Sequence, residues 1–260
     1  MTKLSTARKT PASPAATPPG PEVPRHVAVI MDGNGRWARN QGLARITGHE
    51  KGADAVRATL EGCSEAGVQY LTLYAFSTEN WKRPKSETSA LMGLLERFLN
   101  KEHDQLVERE IRLKTIGTIT DLPASTQKEL RRAVRDTAKN RRLTLILALS
   151  YSSRMEIVEA ARSLAAEVSA GRLTPDQIDE ATFARHLATA EYPDPDLLIR
   201  TSGEQRLSNF LLWQLSYTEL YITPKLWPDF SKDDLHDALR EYGRRQRRFG
   251  AVDLPSAPRS

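Results

Sequence analysis

The sequence predicts an α/β fold in which a central six-stranded, mostly parallel sheet is flanked by helices. Short runs of nearly continuous apolar residues recur along the chain, and longer stretches with helical periodicity lie between them. Strands that are apolar on both faces are typical of a parallel sheet with helices on both sides. No internal repeat interrupts this alternation.

Six runs are predicted to form strands, and helical stretches separate them. The predicted strands are residues 26–31, 70–76, 111–117, 143–150, 196–200 and 219–223. The predicted helices are residues 48–66, 86–108, 124–139, 153–169, 175–188 and 231–248. In helix 86–108 the apolar residues recur at helical spacing, namely Leu91, Leu94, Leu95, Phe98 and Leu99. This stripe predicts either ordinary core packing or the wall of a hydrophobic tunnel.

The ends of the chain differ in composition from its centre. Residues 1–24 contain six prolines and few bulky apolar side chains, which predicts a disordered tail. We expect residues 25–250 to form a single domain and residues 251–260 to form a flexible C-terminal tail.

Composition restricts the classes of function. No run approaches the ~18 continuous apolar residues of a membrane span. The single cysteine, Cys63, excludes a disulfide framework and fits a reducing, cytoplasmic compartment. The formal net charge of +5 favours anionic partners. We expect no nucleic acid among them, because the basic run at residues 244–248 lacks interleaved aromatic side chains that stack on bases.

The residues after the first strand give the clearest indication of a binding site. Ligands of parallel sheets collect beyond the carboxyl ends of the strands, where this chain has Asp32, Gly33, Asn34, Gly35 and Arg36. The glycines allow a tight turn, and the N–H groups of a following helix suit a phosphate. Because a carboxylate would repel a bare phosphate, Asp32 predicts that Mg²⁺ lies between the two.

Two alternatives compete for this turn. Gly33, Gly35 and Ala38 fit the G-x-G-x-x-A fingerprint of nicotinamide dinucleotide enzymes. The second predicted strand, however, lacks the acidic residue at its end that would hold a ribose. Asn34-Gly35 also fits a hairpin turn, but the residues that follow lack strand alternation.

Basic and polar side chains follow three of the predicted strands. Arginine is the side chain best shaped for bidentate contact with phosphate. The arginines fall into two sets, which predicts two separate phosphate sites. The residues are Arg36, Arg45 and His49 after the first strand, Ser77, Glu79, Asn80, Trp81 and Arg83 after the second, and Arg200, Arg206 and Ser208 after the fifth.

Four blocks of the sequence together resemble the cis-prenyltransferases, in particular the bacterial undecaprenyl diphosphate synthase type. The blocks are HVAVIMDGNGRWAR, LTLYAFSTENWKRP, DLLIRTSGEQRLSNFLLWQ and ELYITPKLWPDF. They occur in order and at family spacing from about His26 to Gly250.

The resemblance implies a homodimeric α/β catalytic domain with a hydrophobic tunnel, in which Ala75 leaves passage and Leu143 helps to close the far end. It implies Mg²⁺-dependent condensation of isopentenyl diphosphate onto an allylic diphosphate such as farnesyl diphosphate. The expected product is a long-chain polyprenyl diphosphate, of the undecaprenyl class that serves as a cell-wall lipid carrier. Peripheral membrane contact is one expected route for its release.

The resemblance also assigns residues to roles. Asp32 is expected to bind Mg²⁺, Glu219 to be a second carboxylate tied to the metal, and Asn80 to act in catalysis. The allylic diphosphate is expected near Gly33, Asn34, Gly35, Arg36, Trp37, Arg45 and His49, and the loop that joins both substrates contains Ser77, Glu79, Asn80, Trp81 and Arg83. The isopentenyl diphosphate site is expected to contain Arg200, Arg206 and Ser208, with Arg248 and Gly250 reaching that site in the neighbouring subunit.

The chain departs from the family pattern at two places. Residues 150–154 read S-Y-S-S-R where the family commonly has N-Y-G-G-R, and Gln205 stands where histidine is frequent. Serine adopts positive φ less readily than glycine, so the turn after the fourth strand is expected to differ. The proton acceptor stays open between the leaving diphosphate and a group near Asn34 or Ser77.

One acidic motif resembles a metal-binding signature. Residues 233–237 match D-D-x-x-D, the Mg²⁺ signature of the all-helical trans-prenyltransferases. Ser231 at an N-cap followed by first-turn carboxylates favours an ordinary helix start instead.

Overall fold

A computed structural model describes residues 23–245 of the chain. The proposed C-terminal tail, Arg248, Gly250 and all but the last two residues of the proline-rich tail lie outside the described residues.

The described residues contain a six-stranded sheet with the strand order β3-β4-β2-β1-β5-β6. Every pairing in it is parallel, so the predicted α/β class with a mostly parallel sheet is confirmed. The strands are β1 (His26–Ile30), β2 (Tyr70–Ser77), β3 (Ile111–Ile116), β4 (Leu143–Tyr151), β5 (Leu197–Arg200) and β6 (Glu219–Ile222).

Seven α-helices flank the sheet within residues 23–245. They are α1 (Asn34–Asn40), α2 (Arg45–Ala66), α3 (Lys85–Glu108), α4 (Ala124–Asp136), α5 (Ser153–Ser169), α6 (Glu180–Ala184) and α7 (Lys232–Arg244). The prediction of one helix over residues 175–188 is wrong, because a 3-10 turn at Pro175–Gln177 precedes α6. Asp179 separates the two by accepting a hydrogen bond from the N–H of Thr182 as a new N-cap.

The sheet divides the interior into two apolar clusters. Side chains of β1 alternate between them: Val27 and Val29 lie in the larger cluster, and Ala28 and Ile30 lie in the smaller one. Helices α2, α3 and α7 cover the larger cluster with residues such as Leu60, Leu99 and Leu239. Within residues 23–245, every helix falls short of the length and apolar content needed to cross a bilayer.

The acidic motif at residues 233–237 begins α7, as predicted. The Ser231 hydroxyl accepts a hydrogen bond from the N–H of Asp234, and the Asp234 carboxylate accepts one from the N–H of Ser231 at 2.9 Å. This reciprocal capping accounts for the acidic residues without a metal.

Candidate active site

Asp32 lies just past the carboxyl end of β1, where backbone contacts fix its position. Its N–H donates to Thr201 Oγ1 at 3.0 Å, and its carbonyl oxygen accepts from the same hydroxyl at 2.7 Å. The Asp32 carboxylate accepts a hydrogen bond from Arg200 at 2.8 Å, and its other oxygen lies 3.6 Å from Arg36. The side chain is 29% exposed, so one carboxylate oxygen remains open to a ligand.

The glycine turn after Asp32 is tightly enclosed. Gly33 has φ +108°, and a Cβ there would lie 2.9 Å from Leu226. Both the backbone conformation and the lack of space for a side chain therefore require glycine at this position. A Cβ on Gly35 would lie 3.1 Å from Arg45 Nε. The first-turn N–H groups of α1 cannot bond within the helix, which leaves donors at the turn where the sequence predicts a phosphate.

Arg200 is the centre of one of the two predicted arginine sets. It is 2% exposed, and it donates to Ser208 Oγ at 2.7 Å, to the carbonyl of Arg206 and to Asp32. Its buried Nε has no hydrogen-bond partner among the described residues. A buried donor without a partner is unfavourable, so the group is suited to an anionic ligand.

A carboxylate that sequence reasoning missed joins this set. Glu204 forms ion pairs with Arg36 at 2.9 Å and with Arg206. The arginines of β1 and β5 therefore converge on one place, with Glu204 at its exposed side. A sequence signal existed, since Glu204 follows β5 by only a few residues, but an exposed carboxylate in a loop is not informative alone.

The loop after β5 has a strained backbone. Positive φ angles occur at Ser202 (78°), Ser208 (51°), Asn209 (61°) and Leu211 (46°). Residues other than glycine rarely adopt such angles, and clusters of them are typical of functional sites. The hydrogen bond from Arg200 to Ser208 is one of the contacts that hold this strained conformation.

A second basic cluster lies where α2 and α3 begin. Glu87 forms ion pairs with Arg45 and Arg83, each at 3.1 Å. The pKa of the neighbouring His49 is lowered to about 4, mainly by burial and also by the charges of Arg83 and Arg45, against the opposing effect of Glu87. His49 is therefore neutral near pH 7, and its buried Nε2 has no partner within residues 23–245. Glu87 was not predicted as a site residue, because an acidic side chain in the first turn of a helix is ordinarily explained by its favourable effect on the helix N-terminus.

The segment between β2 and α3 is tied to the rest of the site. A 3-10 turn at Thr78–Lys82 is capped by Ser77, whose N–H donates to Asn80 Oδ1 at 3.1 Å. Trp81 Nε1 donates to Ser150 Oγ at 2.9 Å, and Glu79 accepts from Asn209 Nδ2 at 2.9 Å. Asn209, which sequence reasoning missed, therefore connects the loop after β5 with the loop after β2.

Two serines, Ser152 and Ser153, stand where the family commonly has glycine, and neither takes a positive φ angle: Ser152 has φ −150°, and Ser153 begins α5. The expected cost of serine at those two positions therefore does not arise. A positive φ of 45° occurs instead at Ser150, near the end of β4, where the family commonly has asparagine. The Ser150 hydroxyl accepts from Trp81 and donates to Asp121 at 2.8 Å.

Trp37 and Glu219 lie away from the two arginine sets. Trp37 Nε1 donates to Asp229 at 2.8 Å. Glu219 pairs with Leu197 in the sheet and so lies level with Val27. Glu219 forms an ion pair with Arg245 at 2.8 Å. Its expected tie to the metal stays a prediction.

A cavity of about 190 Å³ runs from this site into the larger apolar cluster. Asn34, His49, Asn80 and Arg83 line its polar part. Its apolar wall includes Ala75, Phe76, Leu91, Leu95 and Phe98. The helical stripe of α3 therefore faces a cavity as well as the core. Leu143 is fully buried at the start of β4 and is not part of the lining.

Comparisons with known proteins agree on one family. Residues 30–250 match the family model described as putative undecaprenyl diphosphate synthase. An isoprenyl transferase of Heliobacterium mobile is 52% identical over 89% of each chain, and one of Bacillus subtilis is 52% identical over 89% of each chain. The ditrans,polycis-undecaprenyl-diphosphate synthase ((2E,6E)-farnesyl-diphosphate specific) of Xanthomonas oryzae pv. oryzae is 48% identical over 96% of this chain and 97% of its own.

Solved structures give the same result. Lavandulyl diphosphate synthase from Lavandula x intermedia, in complex with dimethylallyl diphosphate, aligns with a TM-score of 0.86 and 45% identity over 88% of this chain and 98% of its own. A probable undecaprenyl diphosphate synthase from Campylobacter jejuni aligns with a TM-score of 0.72 and 33% identity over 88% and 99%. The comparisons therefore favour the cis-prenyltransferase resemblance over the dinucleotide alternative.

Proposed function

Because the chain belongs to the undecaprenyl diphosphate synthase family of cis-prenyltransferases, we propose that it condenses isopentenyl diphosphate onto farnesyl diphosphate or a similar allylic diphosphate. The proposed product is a long-chain polyprenyl diphosphate of the undecaprenyl class, which serves as a cell-wall lipid carrier. Residues 25–250 act as one catalytic domain. The observation that carries the proposal is the convergence of Asp32, Arg36 and Arg200 at the carboxyl edge of a parallel sheet.

The carboxylate chemistry at Asp32 fits a Mg²⁺ ion that protein and substrate hold together. Within residues 23–245 no three His, Cys, Asp or Glu side chains form an all-protein metal cluster. Mg²⁺ usually takes one or two carboxylates and completes its shell with water and substrate phosphates. Asp32 supplies one such carboxylate. When bound, Mg²⁺ neutralises negative charge on the leaving diphosphate.

Each diphosphate has its own set of donors in this proposal. The first-turn N–H groups of α1, Arg45 and Arg83 bind the allylic diphosphate, and the two arginines exchange their ion pairs with Glu87 for contacts with the substrate. Arg200, Arg206 and Ser208 bind the isopentenyl diphosphate. Two reactants held by their charged ends meet with little further loss of entropy, which accounts for much of the rate acceleration expected of such a site.

The reaction joins the two substrates at C1 of the allylic chain. The C1–oxygen bond breaks, and its electron pair leaves with the diphosphate. The isopentenyl double bond supplies the electrons of the new carbon–carbon bond, and loss of a proton forms the new cis double bond. Arg36 and the glycine-turn N–H groups stabilise charge on the departing oxygens, because they are already aimed at that place.

The growing hydrocarbon occupies the cavity between α2, α3 and the sheet. Its apolar wall of leucine and phenylalanine side chains suits an isoprenoid chain, whereas the polar part at Asn80 and Arg83 suits the diphosphate end. Asn80 is proposed to position the reacting groups because its side chain lies at the mouth of the cavity.

The assembly that we propose is a homodimer in the cytoplasm. β6 is an edge strand in which Leu220 is 45% exposed, and the preceding Tyr217 is 77% exposed. Exposed apolar side chains beside an unpaired strand edge are typical of an interface.

Arg248 and Gly250 reach the isopentenyl diphosphate site of the neighbouring subunit, and product leaves through peripheral membrane contact. Buried, unpaired Cys63 agrees with a reducing compartment.

A direct assay tests this proposal. Purified protein is incubated with farnesyl diphosphate and labelled isopentenyl diphosphate, in the presence of Mg²⁺ or EDTA. We expect butanol-extractable labelled product with Mg²⁺ and none with EDTA. Absence of product with Mg²⁺ would contradict the activity, and equal product with EDTA would contradict the metal dependence.

A further inference from the structure

A pair of charged side chains joins α2 to α3 just past the last residues of both helices that line the apolar cavity. Residues that line the cavity recur down each helix, namely His49, Gly52, Ala53 and Val56 on α2 and Leu91, Leu95 and Phe98 on α3. One helical turn after Phe98 comes Glu102, and directly after Val56 comes Arg57. Arg57 Nε donates to Glu102 Oε1 at 2.5 Å. The cavity-facing surfaces of both helices therefore lead to this ion pair.

The Glu102 carboxylate is enclosed. Glu102 is 3% exposed. A small void of about 20 Å³ beside it is lined by Arg57, Leu60, Glu61, Glu102, Gln105, Leu106, Arg109 and Ile111, and Glu61 forms an ion pair with Arg109 at 2.8 Å. A buried carboxylate is tolerated only when it is paired and hydrogen-bonded. Asp54 binds the other side of Arg57, which fixes the guanidinium over Glu102. The ion pair thus fastens α2 to α3 between the cavity and the small void.

The ion pair between α2 and α3 affects how far the cavity can extend between these helices. The cavity has a volume of about 190 Å³ and ends before this pair, because neither Arg57 nor Glu102 lines it. Additional space along this path requires α2 and α3 to separate around Arg57, in the middle of α2, and Glu102, in the last two turns of α3, where the ion pair holds them together.

We propose that the Arg57–Glu102 ion pair is a determinant of product length, because it resists separation of α2 and α3 at the inner end of the cavity. The inference rests on the proposed function, since it concerns the chain that this reaction extends. Arg57 and Glu102 lie more than one helical turn from the polar part of the cavity, so the pair acts on the hydrocarbon end and not on the chemical step.

The test compares product lengths made by variants that remove the pair without leaving a single buried charge. Arg57→Met/Glu102→Met keeps the side-chain volume and removes both charges, and Glu102→Gln keeps one hydrogen-bond acceptor. Labelled products are dephosphorylated and separated by chain length. We expect the double variant to shift the main product upward by one or more isoprene units, and Glu102→Gln to give a smaller shift in the same direction.

The matched control is a second ion pair between the same two helices. Arg97 and Glu50 lie 3.3 Å apart with side chains 62% and 50% exposed. Arg97→Met/Glu50→Met should leave the length distribution unchanged, because an exposed pair adds little to helix association.

The outcomes separate the inference from the proposed function. An unchanged or shorter product from a folded, active Arg57→Met/Glu102→Met variant would overturn the inference while the activity stands. A lengthening of equal size in the control pair would also overturn it, because any loss of charge between the helices would then suffice. A wild-type protein without product would overturn the proposed function itself.

Discussion

The two ends of the sheet both bury polar side chains, but they differ in how those side chains are satisfied. At the amino end His26 is 1% exposed, and both ring nitrogens have partners, the Pro193 carbonyl at 2.7 Å and Thr72 Oγ1 at 2.8 Å. At the carboxyl end Arg200 Nε, His49 Nε2 and Asn34 Oδ1 are buried without partners among the described residues. Unfilled hydrogen-bonding capacity in one cluster indicates a place for a ligand.

Backbone strain is concentrated at the carboxyl end. Positive φ angles occur there at Ser150, Ser202 and Ser208, and at the amino end Glu110, directly before β3, also has one. Strain of this kind persists only where the surrounding structure enforces it. The amino end therefore contributes stability and the carboxyl end contributes chemistry, and the following experiments test that division from the largest expected effect to the smallest.

Asp32→Asn should produce the largest effect. The substitution keeps the size of the side chain and removes the charge that would bind Mg²⁺ and face Arg200. We expect kcat to fall by about 10²–10³-fold, the usual range for loss of one electrostatic contact in an active site, with little change in melting temperature. Steady-state kinetics and thermal denaturation measure the two quantities.

The matched control for Asp32→Asn lies in the acidic motif of α7. Asp233→Asn changes one carboxylate of D-D-x-x-D, whose neighbour Asp234 serves as a helix cap. Unchanged activity is expected. A large loss of activity in Asp233→Asn would show that this motif takes part in metal binding after all.

His26 should produce a pH-dependent effect on stability. Burial lowers the pKa of His26 from 6.5 to about 4, against the opposing effects of the Pro193 carbonyl and Asp196. Between these two pH values the unfolded chain binds more protons than the folded chain, so stability is lost as pH falls from 6.5 to 4. The contribution is about 3 kcal/mol at ~1.4 kcal/mol per pKa unit.

Urea unfolding at a series of pH values measures that contribution. His26→Gln should flatten the decline in unfolding free energy between pH 6.5 and pH 4 while kcat at pH 7.5 stays near the wild-type value. His49 contributes a decline of the same sign and remains in both proteins. A slope identical to wild type, or a large loss of kcat, would contradict the structural role of the amino end.

Arg200→Lys should separate the two diphosphate sites. Lysine cannot reproduce the several contacts that a planar guanidinium makes with Ser208, Asp32 and a diphosphate. We expect KM for isopentenyl diphosphate to rise by about 10–100-fold, since truncating a charged contact of this kind costs roughly 1.4–3 kcal/mol. KM for farnesyl diphosphate should change much less. An equal rise in both values would indicate one shared site.

Asn209→Ala should produce the smallest effect. The Asn209 amide donates to Glu79 and to Ser152, so its loss loosens the loop after β2 without removing a substrate contact. We expect kcat to fall by about 3–10-fold, in line with roughly 1 kcal/mol for a neutral hydrogen bond. Asn100→Ala, which removes a contact with Arg132 between α3 and α4, should leave kinetics unchanged.

Much of the fold could be predicted because local patterns and tertiary structure agree. β4 is apolar and fully buried along its length, and α3 shows a clear helical stripe, so both were placed within a residue or two. Residues 175–188 could not be placed, because the break depends on the capping hydrogen bond of Asp179. Helix propensities averaged over the segment do not take that hydrogen bond into account.

The site could be predicted where it follows a strand directly. Asp32 and Arg200 end neighbouring strands, so the parallel topology alone brings them together. The counter-charges Glu87 and Glu204 were not predicted, because the partners that place them in the site, Arg45 for Glu87 and Arg36 for Glu204, lie far away along the chain. The ion pair between Glu219 and Arg245 could not be predicted either, because it joins β6 to the end of α7.

The central claim is that the carboxyl edge holds two diphosphates at separate sites. Equilibrium binding of an unreactive thio analogue of farnesyl diphosphate, measured with Mg²⁺ in the absence and presence of saturating isopentenyl diphosphate, tests it most directly. We predict one analogue bound per chain in both conditions. Displacement of the analogue by isopentenyl diphosphate would contradict the claim, because the two diphosphates would then occupy a single site.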